Sequence, residues 1–153
     1  MKLDSLDKSL LKNLQTNGRL SLRDLGRALN VPHTTIFTRI NKLVKQGVID
    51  GFSAILKPHD VGFKLNMIVV DSSDNLDDKL TDELRQYSDV MNIFRSKDGK
   101  IFLKTLSPND CTDDECLKDL KARLYGYNYT IHEVNEVVKY DHKIHDNLID
   151  QMK

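Results

Sequence analysis

His33, Thr34, Thr35, Thr38, Arg39 and Lys42 are spaced so that, on a helix, they face away from an apolar stripe of Ile36, Ile40 and Leu43. Phe37 and Val44 are expected beside that stripe. Hydroxyls and an imidazole near a helix N-terminus can reach base edges, and threonine methyls can meet thymine methyls. His33, Thr34, Thr35 and Thr38 are therefore the candidates for base readout. Arg39 and Lys42 suit phosphates, with Arg23 and Lys45 as further candidates. The chemistry implied is non-covalent recognition of a DNA major groove. The same pattern also fits an ordinary solvated helix face, and Arg39 has the alternative of pairing with an acid of its own domain.

A recognition helix needs a brace, and the preceding residues provide one. Ser21 and Asp24 stand at capping-box spacing, and Leu22, Leu25 and Leu29 follow at helical intervals. Asn30 and Val31 break the run, and Pro32 is expected at the first position of the next helix, where its missing N–H costs nothing. Gly47 offers a left-handed stop. Upstream, Leu3, Leu6, Leu10, Leu11 and Leu14 predict a third helix that ends at Asn17-Gly18. Downstream, Val48 to Leu56 reads as a turn and a short strand that ends near Pro58, which would complete a winged or wing-like head.

The net charge is zero, but it is divided. Residues 1–60 carry ten bases and five acids, net +5, and the remainder is −5. A basic head favours a polyanion through counterion release, whereas an acidic body is repelled by it. The 153 residues suffice for one medium domain or two small ones. No signal-like leader or membrane-length apolar run is evident, so a soluble, cytoplasmic protein is expected.

Beyond Gly62 the pattern changes. Leu65–Val70, Val90–Arg95, Ile101–Leu106 and Tyr129–Tyr140 read as strands, and Asn75–Tyr87 and Thr112–Leu124 as helices. Lys97-Asp98-Gly99-Lys100 carries the Asp-Gly hairpin signal. The order βαββαβ is the ferredoxin-like arrangement, a four-stranded antiparallel sheet with two helices on one face. Its other face is apolar enough to need a partner, most simply a second copy of the chain.

Taken together, Leu3-Asp4-Ser5-Leu6-Asp7, Leu10-Leu11, Asn17-Gly18-Arg19, Arg39-Ile40, Leu43, Gly47-Val48-Ile49, Leu56-Lys57-Pro58 and Gly62 resemble the leucine-responsive and asparagine regulator (Lrp/AsnC) family. The resemblance spans about residues 3–140. It implies an α+β chain in which a winged-type helix-turn-helix head (1–50) is joined by a strand linker (51–63) to a ferredoxin-like, RAM- or ACT-like body (64–140). It implies a transcriptional regulator that binds double-stranded DNA as a homodimer, with dimers stacking into tetramers or octamers, and whose body takes a small-molecule effector. A palindromic site would place two recognition helices in successive major grooves about one helical turn apart.

Two departures from that family matter. Its hairpin usually carries Gly-x-Tyr-Asp, whose carboxylate can meet an amino-acid ammonium, and that segment falls on Lys97, Asp98, Gly99 and Lys100. Lys100 reverses the charge and Gly99 removes the aromatic, which leaves an anionic effector, none, or an ordinary turn. Pro32 stands where relatives place a serine cap.

Cys111 and Cys116 are expected to be ordinary thiols, Cys116 facing the core, and the pair is too sparse for a metal site. His142 and His145 are expected in solvent; no metal and no cofactor are assigned. Residues 141–153 repeat Ile144, Leu148, Ile149 and Met152 at helical spacing and predict a short helix, frayed or docked on a neighbouring subunit. The chain is expected not to be an enzyme. Two other readings remain: a siroheme-decarboxylase-like enzyme, for which His132 and Arg95 would have to converge, and an architectural protein that wraps DNA.

Overall fold

Asp4 opens the first helix, α1 (Ser5–Thr16), through a reciprocal capping box: the Asp7 amide donates to Asp4 at 2.8 Å and the Asp4 amide to Asp7 at 3.3 Å. Two orphan backbone donors are thereby satisfied. Helix α2 (Leu22–Leu29) is capped by Ser21, whose hydroxyl accepts from the Asp24 amide at 3.1 Å. It ends at Asn30, held in the left-handed region at φ 54°. Pro32 is the cap residue of α3 (His33–Lys45) rather than its first helical position. Its ψ of 141° is extended, and its carbonyl accepts the Thr35 and Ile36 amides. Gly47, at φ 68°, stops the helix.

This computed structural model describes residues 2–71, 78–139 and 141–152. It divides into two compact units, residues 1–54 with 139–153, and residues 55–138. The core of the first unit is Leu3, Leu10, Leu11, Leu25, Ile36 and Leu43, joined by Ile149 from the far end of the chain. Each such side chain contributes about 1.5–3 kcal/mol of burial, so these three short helices hold one another rather than standing alone.

The strand expected between Val48 and Leu56 is not formed. A strand exists through its ladder partner, and residues 50–57 have none among the described residues. Phe52, Ile55 and Leu56 are exposed there. A 3₁₀ turn, Pro58–Val61, and the left-handed Gly62 lie near the start of the second unit.

That unit contains β1 (Phe63–Asp71), α4 (Asp78–Leu84), β2 (Val90–Arg95), β3 (Lys100–Pro108), α5 (Asp113–Cys116), α6 (Lys118–Arg123) and β4 (Asn128–Glu133). The sheet order is β2-β3-β1-β4, antiparallel throughout, as the ferredoxin-like reading requires. Ile68 opposite Leu103 and Val70 opposite Ile101 fix the register and bury one face against Leu80, Leu84, Leu117, Leu120 and Leu124. Asn75 and Leu76, expected at the start of α4, lie outside the described residues.

Three expectations are corrected here. The single helix over Thr112–Leu124 is two, broken at Leu117, where φ −100° and ψ 11° leave the α basin. Cys111 and Cys116 are not free thiols but a disulfide: the first turn of α5 returns Cys116 to within 6.0 Å of Cys111 between Cα atoms. The last strand ends at Glu133, far short of Tyr140, because its partner β1 begins at Phe63, and after Val134 donates to Leu65 at 2.8 Å the ladder runs out. No described helix is long and apolar enough to cross a membrane.

Candidate nucleic-acid interface

Helix α3 turns Ile36 and Leu43 fully inward. By the 3.6-residue period its opposite face is therefore centred on Thr34, Thr38, Asn41 and Lys45, all exposed. The Thr38 hydroxyl donates back to the Thr34 carbonyl at 3.0 Å, which fixes its rotamer while its methyl and its oxygen's remaining lone pair stay accessible. His33 is exposed at the N-terminal end, and Thr35 lies half-buried at the edge of the outward face. Phe37, expected beside the buried stripe, is 55% exposed on the outer surface. Asn41 and Phe37 were not distinguished in the sequence as outward-facing. The signal for Asn41 was available: it lies seven residues, two helical turns, beyond Thr34.

Arg39 looks inward, whereas Lys42 is exposed. The Arg39 guanidinium binds both carboxylates of the α1 capping box, Asp4 and Asp7, the latter at 3.1 Å. Asp7 is buried, and Lys42 stands 3.9 Å from it. Backbone donation by Asp7, and then Arg39, hold the Asp4 carboxyl below its ordinary value, and the two carboxylates raise the Arg39 guanidinium in turn. Arg39 thus ties the recognition helix to α1, and Lys42 remains partly exposed.

The turn itself is tight. A Cβ on Gly26 would lie 2.8 Å from the Val31 carbonyl oxygen, so this position needs glycine for close approach of α2 to the turn. Around it, Arg23, Arg27, Asn30 and His33 line an open groove of about 500 Å³. No side chain caps α3 and its first turn carries no acid, so its N-terminal dipole and the two arginines give this groove a positive character. Arg27 joins Arg23 as a basic residue here that the helical pattern alone did not select.

With this geometry in view, comparison with known proteins is specific. Residues 3–50 match the winged helix-turn-helix DNA-binding family. The crystal structure of PH0061 superposes with a TM-score of 0.81 at 28% identity, covering 92% of this chain and 98% of that one. An AsnC family transcriptional regulator from Agrobacterium tumefaciens superposes with a TM-score of 0.77 at 21% identity, over 95% and 99% of the two chains. This chain has the Lrp/AsnC architecture, with a winged helix-turn-helix DNA-binding head. The resemblance read from the sequence is borne out.

The uncharacterized HTH-type transcriptional regulator PH0140 of Pyrococcus horikoshii is 35% identical over 91 residues, 59% of this chain and 58% of its own length. The matched stretch spans less than two thirds of the curated relatives compared.

In the second unit, the hairpin at 97–100 turns on Gly99 at φ 86°. The Ser96 hydroxyl holds the Asp98 carboxyl below its ordinary value, and Lys100 lies 3.8 Å from Asp71. His132 and Arg95 do not converge. They occupy the two outer strands, β4 and β2, and register places them on opposite faces of the sheet: His132 faces with Met67 and Lys104, Arg95 with Ile101. Arg95 is engaged with Asp78 at 2.7 Å. Among the described residues no group of three or more His, Cys, Asp or Glu could hold a metal ion.

Proposed function

We propose that this chain is a site-specific DNA-binding transcriptional regulator that acts as a homodimer on a palindromic site. One observation carries the reading: the braced helix-turn-helix presents Thr34, Thr38 and Asn41 outward in a row along α3, with bases at both ends. Asn41 has the geometry to read adenine, and the threonines thymine methyls. Lys45, Arg23 and Arg27 serve phosphates, and the uncapped α3 N-terminus adds a dipole contact of the same kind. Arg39 holds the helix rather than the DNA.

The homodimer reading rests on the uncovered sheet face. Val69, Phe102 and Phe94 form one row across it, and Met67 and Lys104 the next. Phe94, Met91 and Phe63 are exposed. Exposed aromatic and apolar side chains on one sheet face favour a cover, and a second copy brings its own. At the hairpin, Lys100 occupies the position of the family's carboxylate, so an effector with an ammonium group is disfavoured there.

The test is selection of bound fragments from a random duplex pool, followed by titration of the best fragment against a scrambled one at two salt concentrations. A palindrome bound well above the scrambled sequence at both salts is the expected result. Equal binding to both, lost steeply with salt, would leave only the basic head and favour DNA wrapping.

A further inference from the structure

The C-terminal segment belongs to the head. After β4 the chain returns to the first unit and forms α7 (Asp146–Asp150) against α1. Ile149 is buried among the head's leucines, Leu10 and Leu11 included. Around this anchor lies a polar ring: Lys8 Nζ donates to the Asp150 carbonyl at 2.8 Å, Lys12 pairs with the Asp150 carboxylate at 2.7 Å, and the Ile144 amide donates to Gln15 Oε1 at 3.1 Å. Apolar anchor and polar partners agree in register on one face of α1. That distinguishes a docking site from incidental contact.

A helix of five residues has no stability of its own in water, so α7 exists only while docked. Its apolar anchor is one buried side chain, Ile149, with Met152 packed against the same core, and its ion pair is partly exposed, so little holds the docked state. The body, residues 55–138, is thus inserted in sequence between the two parts of the head, and its last strand, β4, precedes the docking segment in the chain. The folded body sets the effective concentration of α7 at α1 through chain connectivity alone.

We propose that residues 141–152 are a latch whose docking on Lys8, Leu11, Lys12 and Gln15 of α1 stabilises the head, and through which the state of the body is transmitted to it. The consequence for DNA rests on the function proposed above; the latch itself does not.

Amide hydrogen exchange on the full-length chain tests it, with wild type, Ile149→Asp, Asp150→Lys, and Asp150→Lys combined with Lys12→Asp. In Ile149→Asp, the amides of α1 should exchange at least about tenfold faster while those of β1 and β3 are unchanged. Asp150→Lys should show a smaller acceleration, and Lys12→Asp in the same chain should reverse it. Unchanged α1 exchange in Ile149→Asp, or equal acceleration in β1 and β3, would overturn the latch. Binding to the selected DNA is then compared across the same proteins, and should weaken in the order of α1 exchange. Intact binding despite accelerated exchange would overturn the transmission to DNA. Were the wild type itself not to bind DNA, the function reading would fall while the exchange pattern still judged the latch.

Discussion

Arg39, in the middle of the recognition helix, donates to Asp7 of α1 at 3.1 Å, and Asp7 is almost wholly buried. A base on α3 is therefore spent on architecture. It fixes the angle of α3 by binding the same two carboxylates that cap α1.

Replacing Arg39 with Gln should consequently lower the stability of the head by about 1–3 kcal/mol, as loss of hydrogen bonds to charged groups does. The salt dependence of DNA binding should change little. Lys45→Gln should do the reverse, with stability intact and the slope of log affinity against log salt flatter by about one unit. Chemical denaturation and salt titration separate the two. A flattened slope in Arg39→Gln would return that residue to the phosphate contacts.

Gly26 makes the second prediction. A methyl group there meets a backbone carbonyl at 2.8 Å, and backbone cannot swing aside as a side chain can. Gly26→Ala should cost about 1–3 kcal/mol by overpacking, despite alanine's better helix propensity. An unchanged melting temperature would mean that the turn yields more easily than this contact implies.

Much of the head was legible because its signals are local. Ser21 with Asp24, the break at Asn30, the left-handed Gly47 and the Leu25, Ile36 and Leu43 spacing are each written within a few residues. The sheet order followed from the order of elements. What escaped depends on partners distant in sequence or on backbone detail. Phe37 looks like core by type, yet the inward face of α3 is already filled by Ile36 and Leu43, which leaves it exposed. Residues 48–56 have strand composition but no ladder partner among the described residues. The fate of Ile149 was unreadable because Leu10 and Leu11, its neighbours in the core, lie at the opposite end of the chain.

The acid limit of the head follows from Asp4. Its carboxyl is held below its ordinary value of 3.8, first by the Asp7 amide and then by Arg39. A depressed carboxylate contributes stability that is complete above its unfolded value and is lost as pH falls through the folded one. Head stability should thus be flat at neutral pH with respect to this group and decline only at about pH 4 and below. Asp4→Asn keeps a side chain able to cap α1 but removes the charge facing Arg39, so it should flatten that acid decline. Far-ultraviolet circular dichroism of both proteins between pH 7 and 2 checks this. An equally steep decline in the variant would assign the acid sensitivity to other carboxylates.

Base readout gives the last prediction, because the outward face of α3 orders its residues. Thr34, Thr38 and Asn41 are fully outward, whereas Thr35 is half-buried at the edge. An amide that pairs with one base is worth about 1–3 kcal/mol of discrimination, and a methyl contact less. Asn41→Ala should therefore relax preference at one position of each half-site by roughly tenfold or more, at nearly unchanged salt slope. Thr34→Ala should weaken preference at a neighbouring position, and Thr35→Ala should act least of the three. The same random-pool selection, repeated on each variant, reads these effects base by base. If Thr35→Ala shifts the selected site while Asn41→Ala does not, α3 enters the groove by its other edge.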